Sequence, residues 1–241
     1  MKEIIYLIFA VIPTILWVLY FYKNDKGEKE PSRLLILAVI LGAVVVIPAA
    51  FLELFFTKNL IPFFFPQDKI APISSYSGFS SFIIYNLIII AAIEETLKFL
   101  IIRLTVYRAK CFNEVSDGII YMVACALGFA AFENFLYFLK FGQEVIFIRS
   151  LFTPLFHASA SAIVGHYLGL AKWDKKYKRK VYLALIFAII LHFVYNFLVL
   201  FAGFEGSSLY MILAVLLLAI SGKWMLDKFK ETEKIDGECK M

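Results

Sequence analysis

Long apolar runs alternate with short charged breaks along the chain, and seven runs can be drawn: residues 3–22, 34–56, 79–102, 115–139, 147–170, 181–202 and 207–226. A helix rises 1.5 Å per residue and the hydrocarbon core of a bilayer is about 30 Å thick, so roughly 20 mostly apolar residues cross it. The pattern predicts an all-α fold, a polytopic transmembrane bundle of about seven spans. It is expected to form one membrane domain over 1–226, followed by a polar tail over 227–241. The first run ends in aromatic residues and then KNDKGEKEP, with no small-residue cleavage site, so it reads as a retained span rather than a secretory signal.

Composition agrees with this reading. Of 241 residues, 62% are hydrophobic and 18% charged, whereas soluble domains carry about a quarter charged residues. No soluble domain is left over. The three cysteines, Cys111, Cys125 and Cys239, form no CxxC pair, so neither a disulfide framework nor a thiolate metal site is signalled.

The charge distribution sets an orientation. The breaks after the first, third and fifth runs hold four, three and six lysines and arginines, and the tail holds five, eighteen in all; the opposite side has five. This positive-inside bias predicts an outside N-terminus and a cytoplasmic C-terminus in the cell membrane. The net charge of +5 is then a signal of topology and anionic lipid, and nucleic acid is not expected as a partner. One outer break, residues 57–78, is greasy and holds three prolines and the Phe63–Phe65 triplet. It reads as an interfacial aromatic anchor, or as a lid over a substrate site.

Within the oil lie groups that do not belong there. Glu94, Glu95 and Lys98 fall in the third run, Glu133 and Asn134 in the fourth, His157 in the fifth, and His192 and Asn196 in the sixth. Ionisable residues at such depth cost about 2.5–3.5 kcal/mol each on insertion scales and mark functional sites by default. Counting the helical rise from the nearest charged edge puts Glu94, Glu133, His157 and His192 all about 10–17 Å below the outer surface. One layer implies one site.

Spacing within each helix assigns roles. Glu94 and Lys98 are i and i+4 in the favourable order, so the lysine is expected to neutralise and orient Glu94. Glu95, turned about 100° away, is expected to stay free. His192 and Asn196 put a base and an amide donor on one face, as water activation beside an oxyanion requires. Three carboxylates against Lys98 leave a formal −2. Either a glutamate holds a proton, or a dication such as zinc sits among Glu95, Glu133, His157 and His192. The sequence leaves both open, and no HExxH is present. His166 and Glu53 read as structural, Glu53 as snorkelling to the interface or paired with Lys58. Ser159, Ser161, Gly165 and Gly169 read as small packing positions.

These motifs resemble a known family. IEETLK (93–98) resembles the EExxK motif of the PrsW intramembrane proteases, and GFAAFEN (128–134) resembles their FxxxEN motif. The histidine of LFTPLFHA, the LHFVYN element (191–196) and the acidic loop DKGEKEP (25–31) are similar to further family features. The wider superfamily contains the CAAX prenyl endopeptidases, and CAAX-type processing or a bacteriocin-immunity membrane protease is the alternative enzyme reading. The resemblance to CAAX enzymes is more distant, because Glu133 stands where they have histidine and Lys98 precedes the place of their arginine.

The resemblance implies an endopeptidase that activates water with glutamate and histidine. It also implies a membrane-anchored protein substrate, such as an anti-sigma factor cut on its extracytoplasmic side. On that reading Glu94 or Glu95 is the base, Lys98 orients the pair, His157 is a second water-activating or metal-binding group and Glu133 completes the site. His192, Asn196 and Asn134 would orient groups or stabilise the oxyanion. The rival class is a proton-coupled transporter using the buried carboxylates as a relay. It would be expected to show internal repeats, and none is visible.

Overall fold

The computed structural model describes residues 2–60, 76–206 and 208–239. Seven long helices follow one another: α1 (Lys2–Asn24), α2 (Ser32–Phe55), α3 (Tyr76–Leu104), α4 (Val115–Phe141), α5 (Ile146–Trp173), α6 (Lys178–Glu205) and α7 (Ser208–Cys239). Single tight turns join several of them, and no strand occurs among the described residues. All seven expected runs are helices. Among the described residues six helices, all but α3, are long and apolar enough to cross a membrane. The chain is a multi-pass membrane protein. The Phe63–Phe65 segment lies outside the described residues.

The last helix runs further than its apolar pattern. The expected run ends at 226, but α7 continues to Cys239. Phe229, Thr232 and Asp236 in the extension are buried, so polar sequence there marks contact with other polar segments rather than a free tail.

α4 is the axis of the bundle. It packs against α1, α2, α5 and α7, while α3 touches α2 and α6 and closes the ring. Between lipid-solvated helices there is little hydrophobic driving force, so close packing relies on small residues. A Cβ on Gly128 would lie 1.9 Å from the Val39 carbonyl oxygen, and one on Gly42 1.9 Å from that of Cys125, so α2 and α4 touch backbone to backbone. Gly118 of α4 meets Gly165 and Gly169 of α5 in the same way. A leucine at Gly165 would have to push the helices apart, a change that costs about 1–3 kcal/mol or more. Gly165→Leu is therefore expected to lower the thermal midpoint in detergent by several degrees. Gly203→Ala, where a Cβ meets nothing within 4 Å, should leave it unchanged.

At the basic end of the bundle, carboxylates cap α4. Asp236 accepts from the Val115 and Ser116 amides at 2.7 and 2.9 Å, and Asp117 accepts from the Asn113 and Glu114 amides at 2.6 and 2.7 Å. Negative groups are favoured at a helix N-terminus. Glu30, buried beside them, accepts from the Tyr121 hydroxyl. Burial raises its carboxyl above the usual carboxylate range. A raised folded-state value means that the native state holds the proton more tightly than the unfolded chain. That stabilisation is present below the ordinary carboxylate pKa and is lost as pH rises through the folded value. The thermal midpoint should fall over that window, and Glu30→Gln should flatten the fall.

Candidate active site

The opposite end of the bundle, away from the basic loops, opens into a cavity of about 400 Å³. Its apolar walls come from the end-facing halves of six helices, α2 to α7. Into this space point Glu53 of α2, Glu94 of α3, Glu133 of α4, Arg149 and His157 of α5, and Tyr195 and Asn196 of α6. Residues from five separate runs meet here, the third to sixth as expected and the second, through Glu53, in addition.

Behind the cavity wall lies a second layer centred on Lys98, which is fully buried. Its ammonium stands 2.8 Å from Glu95 Oε1, 2.8 Å from His157 Nδ1 and 3.4 Å from Glu94 Oε2. The Phe129 ring lies 4.1 Å from it on another side. An ammonium only donates, so His157 Nδ1 accepts, which puts the ring hydrogen on Nε2. That nitrogen donates to Glu133 Oε2 at 3.2 Å. His192 has the other tautomer, since its Nδ1 donates to Glu95 Oε1 at 2.9 Å. Its Nε2 is 3.9 Å from Glu94 Oε2.

The two glutamates differ from expectation. Glu95 was expected to be free, yet it is the more heavily bonded: its Oε1 accepts from Lys98 and His192 and its Oε2 from Ser161 at 3.3 Å. Lys98 faces both i−3 and i−4 neighbours on a helix. The imidazoles arriving from α5 and α6 decide which partner it favours. Glu94 keeps only the longer contacts, to Lys98 at 3.4 Å and His192 at 3.9 Å, and lines the cavity.

Other expectations also shift. Asn134 does not face the cavity: its amide donates to the Arg149 carbonyl at 3.2 Å and its oxygen accepts from Arg149 Nε at 3.0 Å. One position along α4 from Glu133, it is turned about 100° round the helix. Glu53 makes no ion pair with Lys58, because it sits on the cavity face of α2. His166 is buried against Trp224, at the basic end and away from the site.

Two partners were missed from the sequence. Arg149, counted as an outer-surface charge, pairs with Glu133 at 3.1 Å and stacks on Tyr137 at 3.6 Å. Ser161, read as packing, is a bonding partner of Glu95. Its i+4 spacing from His157 was the available signal.

Glu94, Glu95, His157 and His192 bring one ligating atom each within 4.8 Å of one another. By type this is a zinc-like donor set. As arranged it does not fit a metal, because the Lys98 ammonium lies against three of the four donors and takes their lone pairs. A divalent ion could not share that position with it.

The family model described as PrsW family intramembrane metalloprotease matches residues 30–221. Protease PrsW of Oceanobacillus iheyensis is 32% identical over 228 residues, covering 94% of this chain and 97% of its own length. Protease PrsW of Bacillus subtilis is 32% identical over 191 residues, 78% of this chain and 80% of its own. That of Clostridioides difficile is 28% identical over 229 residues, 92% and 89% respectively. No solved structure matches the chain. With the matched span taking in every buried ionisable residue of the cluster, the chain belongs to the PrsW family of intramembrane proteases.

Proposed function

We propose that the protein hydrolyses a peptide bond of a membrane-anchored protein, with Glu94 as the general base and Lys98 as the fixed cation of the site. The observation that carries this reading is the division of labour between the paired glutamates. Glu94 lines the cavity with a loosely held carboxylate, while Glu95 is fully buried and bonded on both oxygens.

A water in the cavity gives its proton to Glu94 as its oxygen attacks the scissile carbonyl. The negative charge that develops on the carbonyl oxygen is met by donors on the cavity wall, the Asn196 amide of α6 among them. Preorganised donors of this kind commonly supply several kcal/mol of transition-state stabilisation. The proton on Glu94 passes to the departing amide nitrogen as the C–N bond breaks, leaving a carboxylic acid, which keeps the water's second proton, and an amine. His157, held between Lys98 and Glu133, presents a fixed imidazole at the cavity wall. Glu95, His192 and Ser161 position Lys98 and are not in contact with substrate.

The cavity lies at the end opposite the basic loops, and with those loops cytoplasmic it opens toward the outer leaflet. An anti-sigma factor cut on its extracytoplasmic side would suit that arrangement. The test is cleavage of a single-span reporter by the purified protein in liposomes, with products identified by mass spectrometry. Activity is expected to persist in chelator, with no stoichiometric metal in the preparation. Stoichiometric zinc together with loss of cleavage on chelation would overturn the role given to Lys98. Substrate-dependent proton uptake without peptide products would favour a carrier instead.

A further inference from the structure

We propose that Glu53 forms a cation-recognising subsite on the cavity wall, so that the bond chosen for hydrolysis has a lysine or arginine side chain close beside it. This rests on the protease reading above and names the substrate class it would take. Glu53 belongs to α2, a cavity helix that contributes no residue to the Lys98 cluster. It is half-buried in the last turn before Phe55, and it lines the same space as Glu94, Glu133 and His157.

The pairing of charges leaves Glu53 over. Cluster and cavity together hold four carboxylates, Glu53, Glu94, Glu95 and Glu133, and two fixed cations. Lys98 is taken by Glu95 and Glu94. Arg149 is held by Glu133, by the Asn134 side chain and by the Tyr137 ring. Among the described residues the Glu53 carboxylate makes no hydrogen bond or ion pair. A carboxylate with apolar walls around it and no partner is costly, and such a concave site concentrates a field that draws in a cation.

The depth suits the chemistry. A basic residue near the end of a membrane span extends its charged head toward the interface while its stem stays in oil. Glu53 lies six residues before the outer end of its span at Asn59, about 9 Å along the axis, a depth that a long basic side chain reaches from the interface. A lysine or arginine there completes the charge balance without disturbing Lys98 or Arg149.

The test uses single-span reporters identical except for one position near the outer end of the span, within two residues of the cleaved bond wherever cleavage occurs, set to Lys, Arg, Met or Glu. The intact protein in liposomes is expected to cut the basic reporters with kcat/KM about tenfold or more above the Met reporter, the size of one charged hydrogen bond. In Glu53→Gln that ratio should fall to near one, and in Glu53→Lys the Glu reporter should overtake the basic ones. Equal rates for basic and neutral reporters in the wild type overturn the proposal. So does a Glu53→Gln variant that slows every reporter by the same factor. Binding of the uncut reporters to Glu94→Gln protein in the same liposomes gives a second readout independent of turnover. Preference for basic reporters that vanishes with Glu53→Gln supports the subsite even if the wild type cuts nothing, a result that would count against hydrolysis alone.

Discussion

Glu94→Gln protein is expected to fold and insert normally yet to cleave its reporter at about a hundredth to a ten-thousandth of the wild-type rate. That is the usual range for removing a general base. The amide keeps the size of the side chain and can still accept from Lys98, so the buried layer should survive. Glu95→Gln should behave differently. Its carboxylate accepts from Lys98, His192 and Ser161, and an amide offers one oxygen where two are used. Activity and thermal midpoint should then drop together. The discriminating measurement is kcat beside thermal stability for both variants. If Glu95→Gln is inactive with an unchanged midpoint while Glu94→Gln cuts normally, the two roles are exchanged.

Lys98→Met should be the most damaging substitution for stability. Methionine keeps the aliphatic stem but removes the cation from Glu95 and Glu94, with the Glu95 carboxylate fully buried. Breaking a buried pair on one side costs about 3–5 kcal/mol, because the other charge is left uncompensated. We expect a lower thermal midpoint and no detectable cleavage. Arginine should not restore activity, since three acceptors converge on one point and a planar fork cannot satisfy them there. Adding Glu95→Gln to Lys98→Met should recover part of the lost stability and none of the activity. A double variant no more stable than Lys98→Met would mean that the two residues are not energetically coupled.

The sequence announces the helices and the depth of the site far better than it announces which faces meet. The spans are apolar nearly all round, so hydrophobic periodicity, which in a soluble helix points to the core, says little about the interior face here. Depth survives because it depends only on rise per residue and charged edges. That is why Glu94, Glu133, His157 and His192 could be placed in one layer before any contact was known. Contacts across helices could not be read this way. Lys98 has two glutamates within reach on its own helix, and only His157 from α5 and His192 from α6 settle that Glu95 holds it more closely. Arg149 and Glu53 look like ordinary interfacial charges until the helix rotations turn them inward. The packing glycines are legible as small residues, but their partners Val39, Cys125 and Gly118 are not. The extension of α7 past 226 is polar enough to read as solvated, and its burial depends on the loop and the α4 terminus it meets.

The cap on α4 also bears on biosynthesis. The amides of Val115 and Ser116 are bonded by Asp236, 121 and 120 positions further along the chain. Chains emerge from the ribosome N-terminus first, so the axial helix is threaded into the membrane long before its cap exists. During that interval its first turn must be satisfied by water or by whatever attends the growing chain. The bundle can therefore lock at its basic end only after α7 has been made, and a translation product interrupted before α7 would hold every residue of the Lys98 cluster around an axial helix that cannot yet be fastened.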